Sequence, residues 1–388
     1  MSSYFDKLGF VIFAIAIYGL AAEPFATFRA NRIVQGDGRS VLEALPTVSG
    51  SLLLAIIVIS ACVALLKTPL VYRFVASILS LGALALLIGE AGNFLTPDGN
   101  SYARISPASG FWFLIFAFAL LLADALARLR LSPWMKVAAL GVAALSIGLL
   151  LISGRWDSLS LLHEYNNRAE SFWAEARMHI TLALGSLAAA VIVGVPLGIL
   201  CYRVKAIRSS VLGVLNIVQT IPSIALFGLL IAPLGWIALH VPGAYSIGIR
   251  GIGAAPAFVA LFLYSLLPVT ANTVMGLVGV PAATRDAARG MGMTAWQRLR
   301  EIEFPLALPV ILTGVRIVLV QNIGLATIAA LIGGGGFGVF VFQGIGQTAM
   351  DLVLLGALPT VGLAFAAAVL MDATIEMTRT SGRKVTSP

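Results

Sequence analysis

Long apolar blocks separated by short polar gaps leave this sequence few ways to fold. Ten blocks lie near residues 8–28, 49–66, 72–92, 109–127, 135–153, 179–201, 210–234, 254–279, 304–331 and 351–372. Several reach or exceed the ~20 residues that a helix needs to cross a bilayer. Only 11% of the 388 residues are charged and 59% are apolar, with a mean hydropathy of +0.99. A soluble domain carries about 25% charged residues, so this chain could not cover a soluble surface. In hydrocarbon, backbone polar groups must be satisfied within each helical segment. The expectation is an all-α polytopic membrane protein of about ten transmembrane helices.

The first block begins after Lys7 and has the look of a secretory leader as far as Ala22. It can continue through Phe28 and further spans follow, so it is read as an uncleaved span. The net charge of +8 does not point to nucleic acid, because the basic residues lie in short clusters between apolar blocks. Taking alternate loops, one set holds sixteen lysines and arginines, among them Lys67, Arg73, Arg128, Arg203, Lys205, Arg285, Arg289, Arg298, Arg383 and Lys384. The other holds eight: Arg29, Arg32, Arg39, Arg104, Arg155, Arg168, Arg177 and Arg250. Positive charge resists translocation, which makes the richer set and both termini cytoplasmic.

The chain divides at its longest polar stretch, 154–178, which carries seven charged residues. The division gives an N-terminal membrane region of about five spans (1–153), a periplasmic connection (154–178), a core (179–375) and a cytoplasmic tail (376–388). Prolines at 196, 222, 268, 309 and 359 interrupt the core spans. Prolines and amide side chains at membrane depth are tolerated where they line a cavity or face another helix. Asn216, Gln219, Asn272, Gln321 and Asn322 are therefore candidates for lining a translocation pathway. Arg316, near the middle of its span, is a further candidate, because burying a charge there costs about 2.5–3.5 kcal/mol; pairing with a carboxylate is the favoured reading. Glu90, Asp124 and Asp372 lie near span ends and could reach the interface. Cys62 and Cys201 read as small buried hydrophobes.

One polar segment between spans, 281–309, carries the most specific signal. Its Ala287-Ala288 pair allows close approach, and Gly290 and Gly292 permit a sharp turn. Met293, Trp296 and Leu299 recur at helical spacing. The pattern reads as a short helix, a glycine turn and a second amphipathic helix, forming a knob for a partner's groove.

The same segment resembles the cytoplasmic pattern of binding-protein-dependent ABC permeases, E-A-A-x(3)-G-x(9)-I-x-L-P. Asp286-Ala287-Ala288, Gly292, Ile302 and Phe304-Pro305 match it at every spacing, with Asp for Glu and Phe for Leu. The resemblance implies a type I ABC importer permease core, preceded here by an extra five-helix membrane region. It also implies that Asp286, Ala287, Ala288, Gly292, Ile302 and Pro305 couple the chain to a separate ATPase subunit through the loop 281–305. Further partners implied are a periplasmic substrate-binding protein and a second permease chain, in a bacterial inner membrane. The stretches 219–230, 268–273 and 326–338 look like the osmoprotectant branch, for glycine betaine, choline and related quaternary amines. The long N-terminal half points towards its Yeh-type permeases.

No cofactor is expected in this chain. The glycines 333–336 lack the Lys-Ser/Thr of a phosphate-binding loop, and no lysine occurs between Lys205 and Lys384. Those glycines read as a flexible connection or a site of close helix packing. His163, His179 and His240 are scattered, so no metal site is expected. A permease for another small solute, such as an amino acid, would share the coupling pattern. An ion-coupled secondary transporter has no use for it.

Overall fold

The computed structural model describes residues 5–31, 34–97 and 102–384, with side chains to residue 379. Two compact units form, residues 1–132 with 141–167 and residues 133–140 with 168–388. Among the described residues, nine helices are long and apolar enough to span a bilayer.

The first unit contains α1 (Lys7–Ala21), β1 (Ala26–Arg29), β2 (Asp37–Arg39), α2 (Val41–Ala44), α3 (Thr47–Leu65), α4 (Leu70–Leu95), β3 (Arg104–Pro107) and α5 (Ser109–Leu129). It also holds the end of α6 (Pro133–Ile152), and α7 (Ser160–Asn167). Asp6 caps α1 by accepting from the Gly9 amide at 2.9 Å. The helix stops at Ala21, short of the expected 28, because Pro24 cannot continue it. Its 15 residues make it shorter than the nine helices long enough to span a bilayer. The chain then enters an antiparallel sheet of order β2-β1-β3, with Ala26 opposite Arg39 and Pro107, and Arg29 opposite Arg104. Among the described residues, this sheet departs from the all-helical expectation. Arg29, Arg39 and Arg104, expected in loops, sit on it; Arg32 lies outside the described residues. Ile12, Leu53, Ile57, Leu84, Leu114 and Phe118 fill the core between the helices.

Four charges tie the helix ends of this unit together. Arg73, 1% exposed, donates from Nη1 to Asp124 and from Nη2 to the Ala64 carbonyl, both at 2.9 Å, and its Nη2 lies 3.3 Å from Asp6. Arg128 bonds Asp124 at 2.9 Å and Asp6 at 3.2 Å. Burial raises the proton affinity of Asp6, but the Gly9 amide and the Arg73 and Arg128 guanidiniums together hold its carboxyl below the usual aspartate range. Asp124 is thus paired with both arginines near the end of its helix. Glu90 likewise accepts from the Ser49 hydroxyl at 2.8 Å. Cys62 is exposed, contrary to expectation, whereas Cys201 is buried.

The second unit starts with the first turns of α6 and continues through α8 (Ala169–Arg203), α9 (Lys205–Thr220), α10 (Ser223–Leu229), α11 (Ile231–His240) and α12 (Ala254–Val278). Then come α13 (Ala282–Gly290), α14 (Ala295–Arg298), a π-turn at Leu299–Glu303, α15 (Phe304–Ala326), a 3-10 turn at Ile328–Ile332, α16 (Gly338–Gly346) and α17 (Met350–Lys384). Helix α8 begins ten residues ahead of the expected 179, so the stretch 154–178 is largely helical. The block expected at 210–234 is broken. Pro222 has no amide hydrogen and holds Ile221 extended, which ends α9 at Thr220. The bilayer-length segment lies further on, at Ser223–His240. Helix α17 runs through most of the stretch expected to form a tail.

Small residues set the close spacing of α8, α12 and α15. A methyl group on Gly198 of α8 would sit 2.5 Å from Thr273 Cβ on α12. One on Gly314 of α15 would sit 2.9 Å from the Pro268 carbonyl on α12. Without a hydrophobic drive between helices in lipid, such approaches supply the dispersion contact that holds a bundle together.

Candidate functional site

The segment between α12 and α15 is built from local signals in order. Pro281 precedes α13 with the φ that a helix start needs. At the far end the Met293 amide bonds the Ala288 carbonyl at 3.2 Å and the Gly292 amide bonds the Arg289 carbonyl at 2.9 Å. This is the Schellman closure, and it demands a left-handed residue. Gly292 provides it at φ +81°, whereas Gly290 is simply the last residue of the helix. Thr294 then caps α14 reciprocally with Gln297, accepting from its amide at 3.3 Å while its own amide donates to Oε1 at 2.8 Å.

No loop separates α14 from α15. Pro305 cannot donate to the Glu301 carbonyl, and the chain widens just ahead of it into a π-turn, in which the Phe304 amide reaches back to Leu299. Leu299 is buried with Leu277, Val280, Ala307 and Ile311, anchoring the turn on the ends of α12 and α15. Glu303, 4% exposed, accepts from Arg298 Nε at 3.0 Å.

Of the residues expected to couple, Ala288 is buried and Ile302 half-buried, while Asp286, Ala287, Gly292 and Pro305 are exposed. Asp286 lies 3.5 Å from Arg289. Met293, Trp296 and Leu299 do not share one helical face, because the turn at Gly292 and the π-turn reset the phase. Leu299 points inward, and Trp296 is 63% exposed beside Met291 at 72%. Met291 was not singled out by the sequence reading; its exposure follows from its place at the helix end. The elbow between α8 and α9 was also missed. Arg203 Nη2 donates to the Ala295 carbonyl and Arg285 Nη1 to the Tyr202 hydroxyl, each at 3.2 Å. These bonds tether the segment to the elbow.

The residues considered for a pathway separate into different roles. Asn322 is fully buried and donates to Ser186 and Ser265 hydroxyls at 2.9 Å, joining α15 to α8 and α12. That makes it an internal tie rather than an exposed lining group. Gln219 donates to the Tyr264 carbonyl at 2.7 Å, and the Tyr264 hydroxyl donates to the Ile221 carbonyl, bracing the break at Pro222. Asn272 bonds the Pro268 carbonyl at 2.8 Å, supplying a partner near the proline kink. Asn216 is exposed and Gln321 half-buried. Arg316 pairs with Asp372 at 2.7 Å, the carboxylate partner expected for it.

The glycine run is a packed turn rather than a slack connection. Gly333, Gly335 and Gly336 have positive φ. The Gly336 amide donates to Glu175 at 2.6 Å and the Phe337 amide to His179 Nδ1 at 3.3 Å, so α8 holds the turn directly.

Comparison with known proteins agrees with this architecture. Residues 6–162 match the N-terminal domain of the ABC transporter permease YehY, and residues 194–376 match the binding-protein-dependent transport system inner membrane component. The chain is 47% identical over 180 residues to the osmoprotectant import permease protein OsmW of Salmonella typhimurium, covering 46% of this chain and 79% of that protein. It is 37% identical over 208 residues to the glycine betaine/carnitine/choline transport system permease protein OpuCB of Bacillus subtilis, covering 54% and 85%. Among solved structures the chain is similar to the inward-facing MetNI methionine ABC transporter, at 22% identity and a TM-score of 0.47, covering 54% of this chain and 95% of that one.

The bundle and its sequence relationships define a multi-pass inner-membrane permease, a transport component rather than an enzyme. The chain belongs to the binding-protein-dependent transport system inner membrane component family, whose ATPase is a separate subunit.

Proposed function

We propose that the chain is the membrane-spanning permease of an ATP-driven importer for glycine betaine-like osmoprotectants. The observation that carries the substrate class is its 47% identity to an osmoprotectant import permease across 79% of that protein. In this reading the segment 281–305 docks on an ABC ATPase subunit. Asp286, Ala287, Met291 and Trp296 face the ATPase, while Ala288, Leu299 and Ile302 hold the segment to the bundle. Exposed Met and Trp beside a charged rim fit such a role, since aromatic anchors dominate interfaces of this kind. Both termini and the segment lie on the cytoplasmic side, supported by the charge asymmetry of the loops. A periplasmic binding protein delivers the solute, and a second permease chain completes the pathway. ATP binding closes the ATPase pair and draws the segments together, opening the pathway outward.

The test is uptake of labelled glycine betaine, choline, carnitine and methionine by proteoliposomes containing the chain and its ATPase and binding-protein partners. The substrate reading requires ATP-dependent uptake of at least one quaternary amine. Uptake of methionine alone would overturn the substrate while leaving the machine intact. Uptake that needs an ion gradient and no ATP would overturn both.

A further inference from the structure

A cleft of ≈ 410 Å³ opens between the α8–α9 elbow and the segment 282–303. Arg203, Lys205, Arg285, Arg289 and Arg298 line it, against only two acids, Asp286 and Glu303. Both acids are engaged, Glu303 by Arg298 at 3.0 Å and Asp286 by Arg289 at 3.5 Å. Arg203 and Arg285 instead donate to neutral oxygens, the Ala295 carbonyl and the Tyr202 hydroxyl. Those bonds orient the guanidiniums without neutralising them. Lys205, at the first turn of α9, forms no ion pair among the described residues. Three uncompensated cations therefore surround one concave space, and a concavity lined mainly by one sign of charge draws in an anion.

The position of the cleft indicates what anion would fill it. Helix α8 is a candidate span whose last residue is Arg203, so the cleft lies at the charged end of a membrane helix, the end at which an anionic headgroup approaches. We propose that this cleft binds a phosphate group, drawn from an anionic phospholipid of the adjoining leaflet. The two guanidiniums present forked donors to phosphate oxygens, and Lys205 adds a point charge. Basic pockets beside membrane helices take anionic headgroups by this chemistry. A headgroup held there bridges the elbow and α13, adding a lipid contact to the tether already made by Arg203 and Arg285. The inference is independent of the transported solute.

Native mass spectrometry of the full chain, released from nanodiscs of phosphatidylglycerol or of phosphatidylcholine, tests it. Phosphatidylglycerol should be retained over phosphatidylcholine. Lys205→Gln, an exposed side chain whose loss leaves folding intact, should lower that retention about fivefold, and Arg203→Gln and Arg285→Gln by a similar factor each. Displacement of the lipid by inorganic phosphate would uphold the phosphate site and move its source to a free anion. Equal retention of the two lipids, or full retention by the triple variant, would overturn the proposal. So would a triple variant that loses its ATPase but keeps the lipid, because the cations would then serve a protein partner.

Discussion

Arg316 on α15 and Asp372 on α17 meet at 2.7 Å, Nη1 to Oδ1, in the interior of two apolar helices. Each charge makes the other tolerable at that depth, and the pair fixes the register of the two helices. Pairing also explains why a lone arginine survives in a stretch that is otherwise free of charge from Phe304 to Ala326.

Removing both members should therefore cost less than the sum of removing each. Arg316→Met and Asp372→Leu each lower the thermal midpoint in nanodiscs, and the double variant recovers part of the sum. The expected coupling is about 1 kcal/mol, within the range found for interacting neighbours. Strict additivity in the cycle would mean that the contact contributes nothing.

Gly292 is constrained by backbone shape alone. A methyl group there meets nothing within 4 Å, yet φ is +81°. Gly292→Val should destabilise the turn by about 1–2 kcal/mol and reduce ATP-driven uptake, with insertion unchanged. Gly292→Asn should retain most activity, because Asn enters the left-handed region. Normal uptake by the valine variant would remove the turn from the coupling reading.

Trp296 should behave in the opposite way. Its side chain is 63% exposed, so Trp296→Ala leaves the melting temperature of the chain nearly unchanged. Affinity for the ATPase subunit, measured by titration of the detergent-solubilised chain, should fall by about 2 kcal/mol or more, as for a buried interface anchor. Unchanged affinity would place the docking surface elsewhere.

The spans were legible in the sequence because apolar run-length and charge gaps carry that signal directly, and Asp286 to Pro305 carried the family pattern in its spacing. What escaped was non-local or small. The strands Ala26–Arg29, Asp37–Arg39 and Arg104–Pro107 are too short to show an alternating pattern, and their pairing joins positions far apart in the chain. Asn322 read as a pathway residue because an amide in a span looks the same whether it faces a channel or two serines. Arg73 read as a loop cation because Asp124 lies 51 residues away.

That internal role of Asn322 gives a further expectation. Asn322→Leu strands the Ser186 and Ser265 hydroxyls' contacts with the amide, and should cost about 1–3 kcal/mol in thermal stability. Once corrected for folded protein, the KM for the transported solute should be unaltered. A specific rise in KM would return Asn322 to the pathway.

Acid should loosen the first unit through Asp6. Its folded pKa lies below the ordinary value, so its contribution is full above about pH 4 and is lost as the pH falls through the lower folded value. Asp6→Asn keeps a helix cap but removes the charge. Melts followed by tryptophan fluorescence should show the variant less stable than wild type at neutral pH and less sensitive to acid. Parallel acid profiles would assign the acid loss to other carboxylates.

From Ala295 to Ala326 the backbone passes through α14, the π-turn and α15 with no unstructured residue between them. Torque applied at the Trp296 end has no slack in which to dissipate, so the polar stub and the apolar helix turn as one shaft. The left-handed joint at Gly292 is where that shaft can pivot against α13.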